Sequence, residues 1–222
     1  MGKLSSNKPT LLIKNCTVMD KSTLEYYATH ASEVALRYES VSSALSNLFE
    51  LAFIKGGKVL DIGSGSGRDL SVMAQQGFNV YGVDPTSKLV EIAQSIHPEL
   101  AGRVKVGSLP TLDISFDGEF DGILCCAVLM HLDEVALEES IIAFRSLLRK
   151  GGRLLISVPS ERSDVDQNER DHNGRLFKSY SSAYLVGVLA IQGFQLLEEW
   201  RNADALKRAG VEWLTQLYQL NS

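Results

Sequence analysis

Apolar residues near the start of the chain recur at helical spacing. Between Ala31 and Phe53 they follow one another at alternating steps of four and three, which places them on one face of a helix. The set comprises Val34, Tyr38, Val41, Leu45, Leu48 and Ala52. A Gly-Gly pair follows and ends the pattern, so the spacing predicts an amphipathic helix over residues 31–53.

Beyond this segment the chain alternates short apolar runs with longer amphipathic ones. The short runs predict β-strands and read, in order, KVLDIG, FNVYGVD, RVKVGS, FDGILCCAV and GRLLISVP. The amphipathic segments predict helices and read RDLSVMAQQG, TSKLVEIAQSIH and DEVALEESIIAFRSLLRKGG. Apolar strands that are separated by helices are typical of a parallel sheet covered on both faces.

The C-terminal part of the chain departs from this alternation. The polar stretch ERSDVDQNERDHNGR predicts a long loop, and SYSSAYLVGVLAIQG predicts a helix. The last two apolar runs, FQLLEEW and VEWLTQLYQL, are joined only by RNADALKRAG. Parallel strands need a longer crossover, so these two strands are predicted to pair antiparallel. The expected fold is α/β, a doubly wound and mostly parallel sheet with a final antiparallel strand.

Length and composition indicate one domain. A chain of 222 residues with 45% hydrophobic content can bury one sizeable core. Residues 1–30 are expected to be an N-terminal lead-in, loose over about the first 25 residues, and residues 31–222 a single domain. The loop over residues 160–180 is expected to form a lid, because long loops in compact domains often serve binding.

Charge and cysteine content narrow the class of protein. The net charge of -5 and the pI of about 5.4 argue against a protein that binds nucleic acids or membrane surfaces. No apolar run is long enough to span a bilayer, and the N-terminus has no signal-peptide pattern. The three cysteines are Cys16, Cys125 and Cys126. Their sparse, irregular spacing predicts free thiols in a reducing compartment, so a cytoplasmic location is expected. No cluster of metal ligands is expected either.

The stretch VLDIGSGSGRD, residues 59–69, holds the most specific chemistry in the sequence. Gly63, Gly65 and Gly67 alternate directly after a predicted strand, which allows a ligand to approach the backbone closely. The dinucleotide fingerprint G-x-G-x-x-G would need glycine where the chain has Arg68. The phosphate-binding loop fails too, because no G-K-[ST] sequence follows.

The next predicted strand ends in Asp84, seventeen residues past Gly67. In a doubly wound sheet this carboxylate lies beside the glycine turn and can accept hydrogen bonds from both hydroxyls of a ribose. An aspartate before Pro85 and Thr86 can also be only a helix cap. Together the glycines and the carboxylate favour an adenosine-bearing ligand without a pyrophosphate.

On these residues the sequence resembles the class I S-adenosylmethionine-dependent methyltransferases. The resemblance covers roughly residues 30–160 and implies a Rossmann-like fold with S-adenosyl-L-methionine (AdoMet) as the cofactor. It implies cofactor-binding roles for Asp61, Gly63, Gly65, Gly67, Arg68, Asp84, Ser108, Leu109 and Cys125. The glycines would surround the methionine end, Asp61 would support their loop, Arg68 would meet the carboxylate and Asp84 would take the ribose.

Two further stretches match this family. The loop GSLPTLD corresponds to the edge of the adenine, with Ser108 and Leu109 at its centre, and DGILCCAVLMHL corresponds to the fourth strand, where the backbone around Cys125 faces the cofactor. Many relatives have an acidic residue at the position of Ser108, where it binds the adenine amine. A serine hydroxyl can substitute only more weakly.

The methyl acceptor is limited by what the sequence lacks. No D/N-P-P-Y motif follows the fourth strand and no Pro-Cys pair is present, which disfavours two specialised nucleic-acid and amide chemistries. A single small domain favours transfer to an oxygen or nitrogen of a small molecule. Protein or RNA methylation, and AdoMet binding without catalysis, remain as alternatives. The oligomeric state is open.

Candidate acceptor-side residues lie in three segments. His131 follows the fourth strand and is the candidate for acid–base catalysis, although it could also cap a helix or only line the pocket. Tyr27, with its neighbour Tyr26 and with Tyr38, resembles aromatic residues that close over the cofactor in relatives. In the charged loop, Arg175 and Tyr180 are the candidates for binding a polar or anionic substrate, the alternative being a solvated loop. The same loop also contains the charged or titratable residues Arg162, Arg170 and His172.

Overall fold

The computed structural model describes residues 19–112 and 116–221 of the chain. Seven strands within these residues form one sheet. They are β1 (Lys58–Ile62), β2 (Asn79–Asp84), β3 (Val104–Val106), β4 (Phe120–Cys126), β5 (Leu148–Arg162), β6 (Phe194–Ala203) and β7 (Val211–Leu220). Their order is β3-β2-β1-β4-β5-β7-β6. Strands β1 to β5 are parallel to one another, and β7 lies antiparallel between β5 and β6.

This architecture confirms the predicted Rossmann-like, mostly parallel sheet with an antiparallel end. The sheet is covered on both faces by apolar side chains that form two separate clusters, as expected for strands that are apolar on both sides. The parallel strands β1, β2 and β4 all end at the same edge of the sheet. Ligands bind at that edge in doubly wound folds.

The helices follow the predicted pattern from residue 68 onward. They are α1 (Lys21–Thr29), α2 (Ala31–Glu39), α3 (Phe49–Ala52), α4 (Arg68–Gln75), α5 (Ser87–Ile96), α6 (Glu134–Leu147) and α7 (Ser182–Ile191). Short 3-10 turns add to them, one of them at Leu129–His131 directly after β4. Among residues 19–112 and 116–221, no helix has both the length and the apolar character that crossing a membrane requires.

The predicted single helix over residues 31–53 was wrong. The segment divides into α2, an irregular stretch and α3, although its apolar residues still pack inward. The helix breaks at a serine-rich sequence, where serine hydroxyls form hydrogen bonds with backbone carbonyl and amide groups. The Ser40 hydroxyl donates to the Arg37 carbonyl, and the Ser43 hydroxyl accepts from the Leu45 amide. Serine hydroxyls that bond the backbone in this way compete with helix formation.

The predicted loose lead-in was wrong where α1 occupies it. Asp20 caps this helix, because its Oδ2 accepts hydrogen bonds from the amide and hydroxyl of Thr23 at 2.9 and 2.8 Å. The sequence signal was therefore present as an N-cap aspartate, and it was overlooked because the helix has few apolar residues. The prediction for residues 1–18, which include Cys16, lies outside the described residues.

Candidate active site

A cavity of about 760 Å³ opens at the carboxyl edge of the sheet. Its floor is formed by the glycine turn after β1, the end of β2 and the turn after β4. Its other walls come from α1, α2, the loop after β5 and the β6–β7 connection. Segments that are far apart in sequence thus enclose one volume, as ligand sites in this fold class do.

The glycine turn is held in a shape that only glycine adopts readily. Gly63, Gly65 and Gly67 have φ values of 76°, 55° and 83°, in the left-handed region. The Gly63 and Ser64 amides both donate to the Val83 carbonyl, at 2.8 and 2.9 Å, and so fix the turn to the end of β2. A side chain at Gly63 would collide with Val128, which packs against it from the turn after β4. The turn therefore exposes bare backbone to the cavity.

Asp84 connects the glycine turn to the end of β2. Its Oδ2 accepts a hydrogen bond from the Gly65 amide at 2.9 Å, and its Oδ1 accepts one from the Thr86 amide at 2.8 Å. The side chain lines the cavity but is only 5% exposed, and burial raises the pKa of its carboxyl to about 6. Asp84 therefore contacts the start of α5, as a helix cap does, and also borders the cavity, where ribose binding stays a prediction.

Two charged residues beside the turn are already engaged in local contacts. Arg68 donates to Asp69 Oδ1 at 2.9 Å and to the Tyr38 carbonyl at 3.2 Å. Asp61 lies buried at the end of β1, where burial, with Asp69 and Asp84 nearby, raises the pKa of its carboxyl well above the usual range. All of these side chains line the cavity.

The loop after β3 and the end of β4 differ in detail from the sequence-based assignment. Leu109 lines the cavity, whereas the Ser108 hydroxyl donates to the Leu109 carbonyl at 2.9 Å and lies outside the wall. Asp113 of the same loop lies outside the described residues. At the end of β4, Cys125 is fully buried in the core, and Cys126 and Ala127 line the cavity instead. Ala127 has a φ of 59°, so the backbone leaves the strand and turns toward the cavity at this point.

His131 is enclosed and uses both ring nitrogens. Its Nδ1 lies 2.6 Å from the Leu176 carbonyl, and its Nε2 lies 3.2 Å from the Tyr27 hydroxyl. The residue is 2% exposed. Burial, aided by the positive charges of Arg175 and Arg162 and opposed by the Leu176 bond, lowers the pKa of the imidazole to about 4. His131 is therefore a neutral imidazole near pH 7.

The predicted lid over residues 160–180 comprises the end of β5 and a loop that is bound to α1, and many of its residues are exposed. The Arg175 guanidinium pairs with Asp171, with Nη2 2.6 Å from Oδ2, and its Nη1 donates to the Tyr27 hydroxyl at 3.3 Å. It also lies over the Tyr26 ring, 4.4 Å from the centroid. At the next turn of the loop, Arg170 forms a two-fold contact with Asp20, at 2.8 and 3.1 Å. The expected candidates Tyr27, His131 and Arg175 therefore meet in one hydrogen-bonded group.

Tyr180 does not join this group. Its ring is buried and stacks on Tyr184 at 5.6 Å between centroids, and its hydroxyl donates to the Leu132 carbonyl at 2.7 Å. The side chain packs in the core and lies outside the cavity wall.

Sequence reasoning missed other residues that line the cavity. They come from α1, α2, the end of β5 and the β6–β7 connection, and include His30, Glu33, Arg37, Asp164, Asp204, Arg208 and Trp213. Asp204 accepts from Arg208 at 2.6 Å and from Trp213 Nε1 at 2.9 Å. The four-residue spacing of Asp204 and Arg208 was the available signal, but it does not show that the connection folds back over the sheet edge.

The family model described as a methyltransferase domain matches residues 34–199, well over half of the chain. The chain belongs to the class I S-adenosylmethionine-dependent methyltransferases. This confirms the predicted family and the assignment as an AdoMet-dependent enzyme.

The methyltransferase is similar to proteins named ubiquinone biosynthesis O-methyltransferase. The relative from Xanthomonas campestris is 34% identical over 108 residues, which span 47% of this chain and 44% of that protein. The relative from Paracidovorax citrulli is 27% identical over 218 residues, which span 86% and 87%. The chain thus spans somewhat under half of the length of the first relative and most of the second.

The fold is also similar to that of a solved methyltransferase. The 1,6-didemethyltoxoflavin-N1-methyltransferase of Burkholderia thailandensis superimposes with a TM-score of 0.66 at 24% identity, covering 90% of this chain and 91% of that one. That structure holds 1,6-didemethyltoxoflavin and S-adenosylhomocysteine. At this identity the likeness shows the shared fold.

We expect the buried imidazole of His131 to affect stability at acid pH. The unfolded chain binds a proton at this histidine near pH 6.5, while the folded protein binds it only near pH 4. The free energy of unfolding should therefore fall by roughly 3 kcal/mol from this residue as the pH drops through that window. Urea denaturation of the wild type and of His131→Asn, compared from pH 7 to pH 4, isolates the contribution.

The contributions of other titrating groups to the pH dependence cancel when the wild type and His131→Asn are compared. Asp84 acts with the opposite sign, because its raised pKa stabilises the fold at low pH, but it is present in both proteins and cancels. As the pH falls, the His131→Asn variant should lose less of its free energy of unfolding than the wild type. An equal pH dependence in both would contradict a buried, neutral imidazole.

Proposed function

We propose that this methyltransferase transfers the methyl group of AdoMet to an oxygen or nitrogen of a small molecule. One observation carries the proposal. A single cavity joins the bare glycine turn and Asp84 at one end to the group of Tyr27, His131 and Arg175 at the other. Its volume of about 760 Å³ is that of a small-molecule site. The names of the relatives, which methylate small molecules, agree with it.

The cofactor end has the residues that AdoMet requires. Gly63 and Gly65 would approach the methionine portion, and Asp84 would accept hydrogen bonds from the ribose hydroxyls. Carboxylates have room for these bonds beside the two backbone amides that Asp84 already binds. Gly67, predicted to bind the cofactor too, packs against Leu100 and lies outside the cavity wall. Asp61 and Arg68 would support the loop, and Leu109 would border the adenine. Ser108 and Cys125 do not line the cavity, so their neighbours Leu109 and Cys126 would border the cofactor instead.

The acceptor end would position a nucleophile. AdoMet supplies a methyl group that its sulfonium already activates, so the protein contributes mainly orientation and exclusion of water. The contacts of Asp20 with Arg170 and of Thr23 with Leu176 join α1 to the loop over the cavity. These two segments form a cover that would have to open for exchange of substrate. We place the enzyme in the cytoplasm, in agreement with the free thiols of Cys125 and Cys126.

Calorimetry and activity screens test this function. The protein should bind AdoMet and S-adenosylhomocysteine but not NADH. With labelled AdoMet, label should appear in a pool of small phenols and amines and be absent from peptide and RNA pools. Labelling of peptides or RNA alone would replace the proposed acceptor class, and binding without any labelling would favour a non-catalytic AdoMet protein.

The glycine turn provides a specific test of the cofactor site. Gly65→Ala should cost about 1–2 kcal/mol in stability, because alanine at its φ of 55° is strained. Relief of that strain moves the amide that binds Asp84, so AdoMet affinity should fall roughly tenfold. Titration calorimetry and urea denaturation measure the two effects.

Gly77→Ala is the matched control for this variant. Gly77 has a φ of 91°, open space around its Cα, and a position at the end of α4 away from the cavity. It should lose similar stability with no change in AdoMet affinity. Equal affinity losses in both variants would mean that general destabilisation, and not the turn, governs binding.

A further inference from the structure

We propose that the Tyr27 hydroxyl receives the proton of the methyl acceptor and that His131 takes the proton of Tyr27. The inference rests on the proposed function, since it assigns proton transfer at the acceptor end of the same cavity. It makes Tyr27 the catalytic residue that touches the substrate. His131 becomes a positioning residue that acts through Tyr27.

The direction of each hydrogen bond follows from the partners. The Leu176 carbonyl can only accept, so the proton of the neutral imidazole is on Nδ1, 2.6 Å away. Nε2 is then an acceptor, and the Tyr27 hydroxyl, 3.2 Å from it, must be the donor. Arg175 has no acceptor atom, so its Nη1 donates to the Tyr27 oxygen at 3.3 Å. Tyr27 therefore gives its proton toward His131 while Arg175 supports negative charge on its oxygen.

Access to the cavity separates the two residues. His131 is 2% exposed, with the edges of the Tyr27 and Phe177 rings against it at 5.7 and 4.8 Å between centroids. Both of its nitrogens are already bound. Tyr27 is half-buried and borders the cavity, with Tyr38 and Arg175 beside its hydroxyl. Both residues border the cavity, but His131 has no ring nitrogen free for a substrate, whereas the more exposed Tyr27 can be approached from the cavity.

The proton transfer balances. As the acceptor oxygen bonds to the methyl carbon, the carbon–sulfur bond breaks and its electron pair stays on sulfur. The acceptor's own proton moves to the Tyr27 oxygen, and the Tyr27 proton moves to His131 Nε2. The positive charge that leaves the sulfonium thus ends on the imidazole, which releases its proton to water when the site opens. For an oxygen acceptor a weakly basic, buried imidazole suffices, because the methylated oxonium is a strong acid.

The arrangement can be tested in the protein alone, without any acceptor. Imidazole NMR of ¹⁵N-histidine-labelled wild type should show His131 neutral with its proton on Nδ1 throughout the range from pH 5.5 to pH 8. In Tyr27→Phe the pKa of His131 should rise, because the bond that favours the neutral ring is lost. Tyr26→Phe, at the neighbouring ring, is the matched control and should leave the His131 signals as in the wild type.

The wild-type spectrum decides even where Tyr27→Phe does not fold. A proton on Nε2, or an imidazolium at pH 7, would reverse the hydrogen bond to Tyr27 and overturn the relay. This arm is independent of the acceptor, so its failure is distinct from a failure of the proposed function.

Turnover of catechol with labelled AdoMet tests the roles. Tyr27→Phe should lower kcat by roughly a hundredfold with little change in KM for AdoMet. His131→Asn should lower kcat too, and the double variant should be no slower than Tyr27→Phe, because His131 acts only through Tyr27. Multiplying losses in the double variant would show direct contact between His131 and the substrate and overturn the proposal. If catechol is not methylated, the acceptor class fails and the NMR result alone decides the relay.

Discussion

Asp84→Asn should weaken AdoMet binding by roughly thirtyfold to a thousandfold. The carboxylate would accept charge-assisted hydrogen bonds from two ribose hydroxyls, together worth about 2–4 kcal/mol. An amide has one oxygen where Asp84 uses two against the amides of Gly65 and Thr86, so one donor of the turn also loses its partner. Titration calorimetry measures the loss, and urea denaturation shows that the domain stays folded.

Asp133→Asn is the matched control. Asp133 caps α6 by accepting from the Ala136 amide at 2.8 Å, much as Asp84 binds the Thr86 amide, but it lies outside the cavity wall. It should change stability slightly and leave AdoMet affinity alone. If Asp84→Asn behaves in the same way, Asp84 is only a cap.

The pH dependence of binding separates the ribose contact from structural effects. The pKa of Asp84 is raised to about 6 by burial, so its carboxylate takes up a proton as the pH falls through that value. AdoMet affinity should therefore drop below about pH 6, and binding near pH 6 should release a proton. Calorimetry in two buffers of different ionisation enthalpy detects the release. In Asp84→Asn both the drop and the release should disappear.

Arg175→Ala should lower the free energy of unfolding by about 3–5 kcal/mol. Its partner Asp171 has a side chain that is only 1% exposed, so the variant leaves a buried carboxylate without its cation. The variant also frees the Tyr27 hydroxyl and uncovers the Tyr26 ring. Urea denaturation measures the loss. This expectation differs from a purely substrate-binding role, which would leave stability unchanged.

Two comparisons sharpen the test of Arg175. The double variant Asp171→Ala with Arg175→Ala removes both charges and should recover a large part of the stability. Lys88→Ala breaks an exposed pair with Glu91 on α5 and should cost less than about 1 kcal/mol. If Arg175→Ala loses as little stability as Lys88→Ala, the buried pair contributes little. The loop would then be free for substrate binding.

Much of the fold was predictable because it depends on local pattern. Each strand of the parallel sheet was predicted from a short apolar run, and each covering helix from α4 onward from its own cap, proline or glycine stop. The first helices were misjudged because their boundaries depend on single side chains, Asp20 at the start of α1 and the serines after α2. Such contacts override periodicity over a few residues.

The cofactor end of the site was predictable for the same reason. The sequence by itself determined that Gly63, Gly65 and Gly67 would form a turn after β1 and that Asp84 would end the next strand. Parallel neighbours end at one edge, so the two features had to meet once the sheet formed.

The acceptor end was decided only by the tertiary structure. His131 bonds to Leu176, 45 residues away, and to Tyr27, 104 residues away. Arg175 and Tyr180 lie in one loop, yet one borders the cavity and the other packs in the core. Neighbouring cysteines divide in the same way, Cys125 inward and Cys126 to the cavity. No local period sets these directions, because they depend on which distant surfaces exclude water together when the loop, α1 and the sheet edge pack.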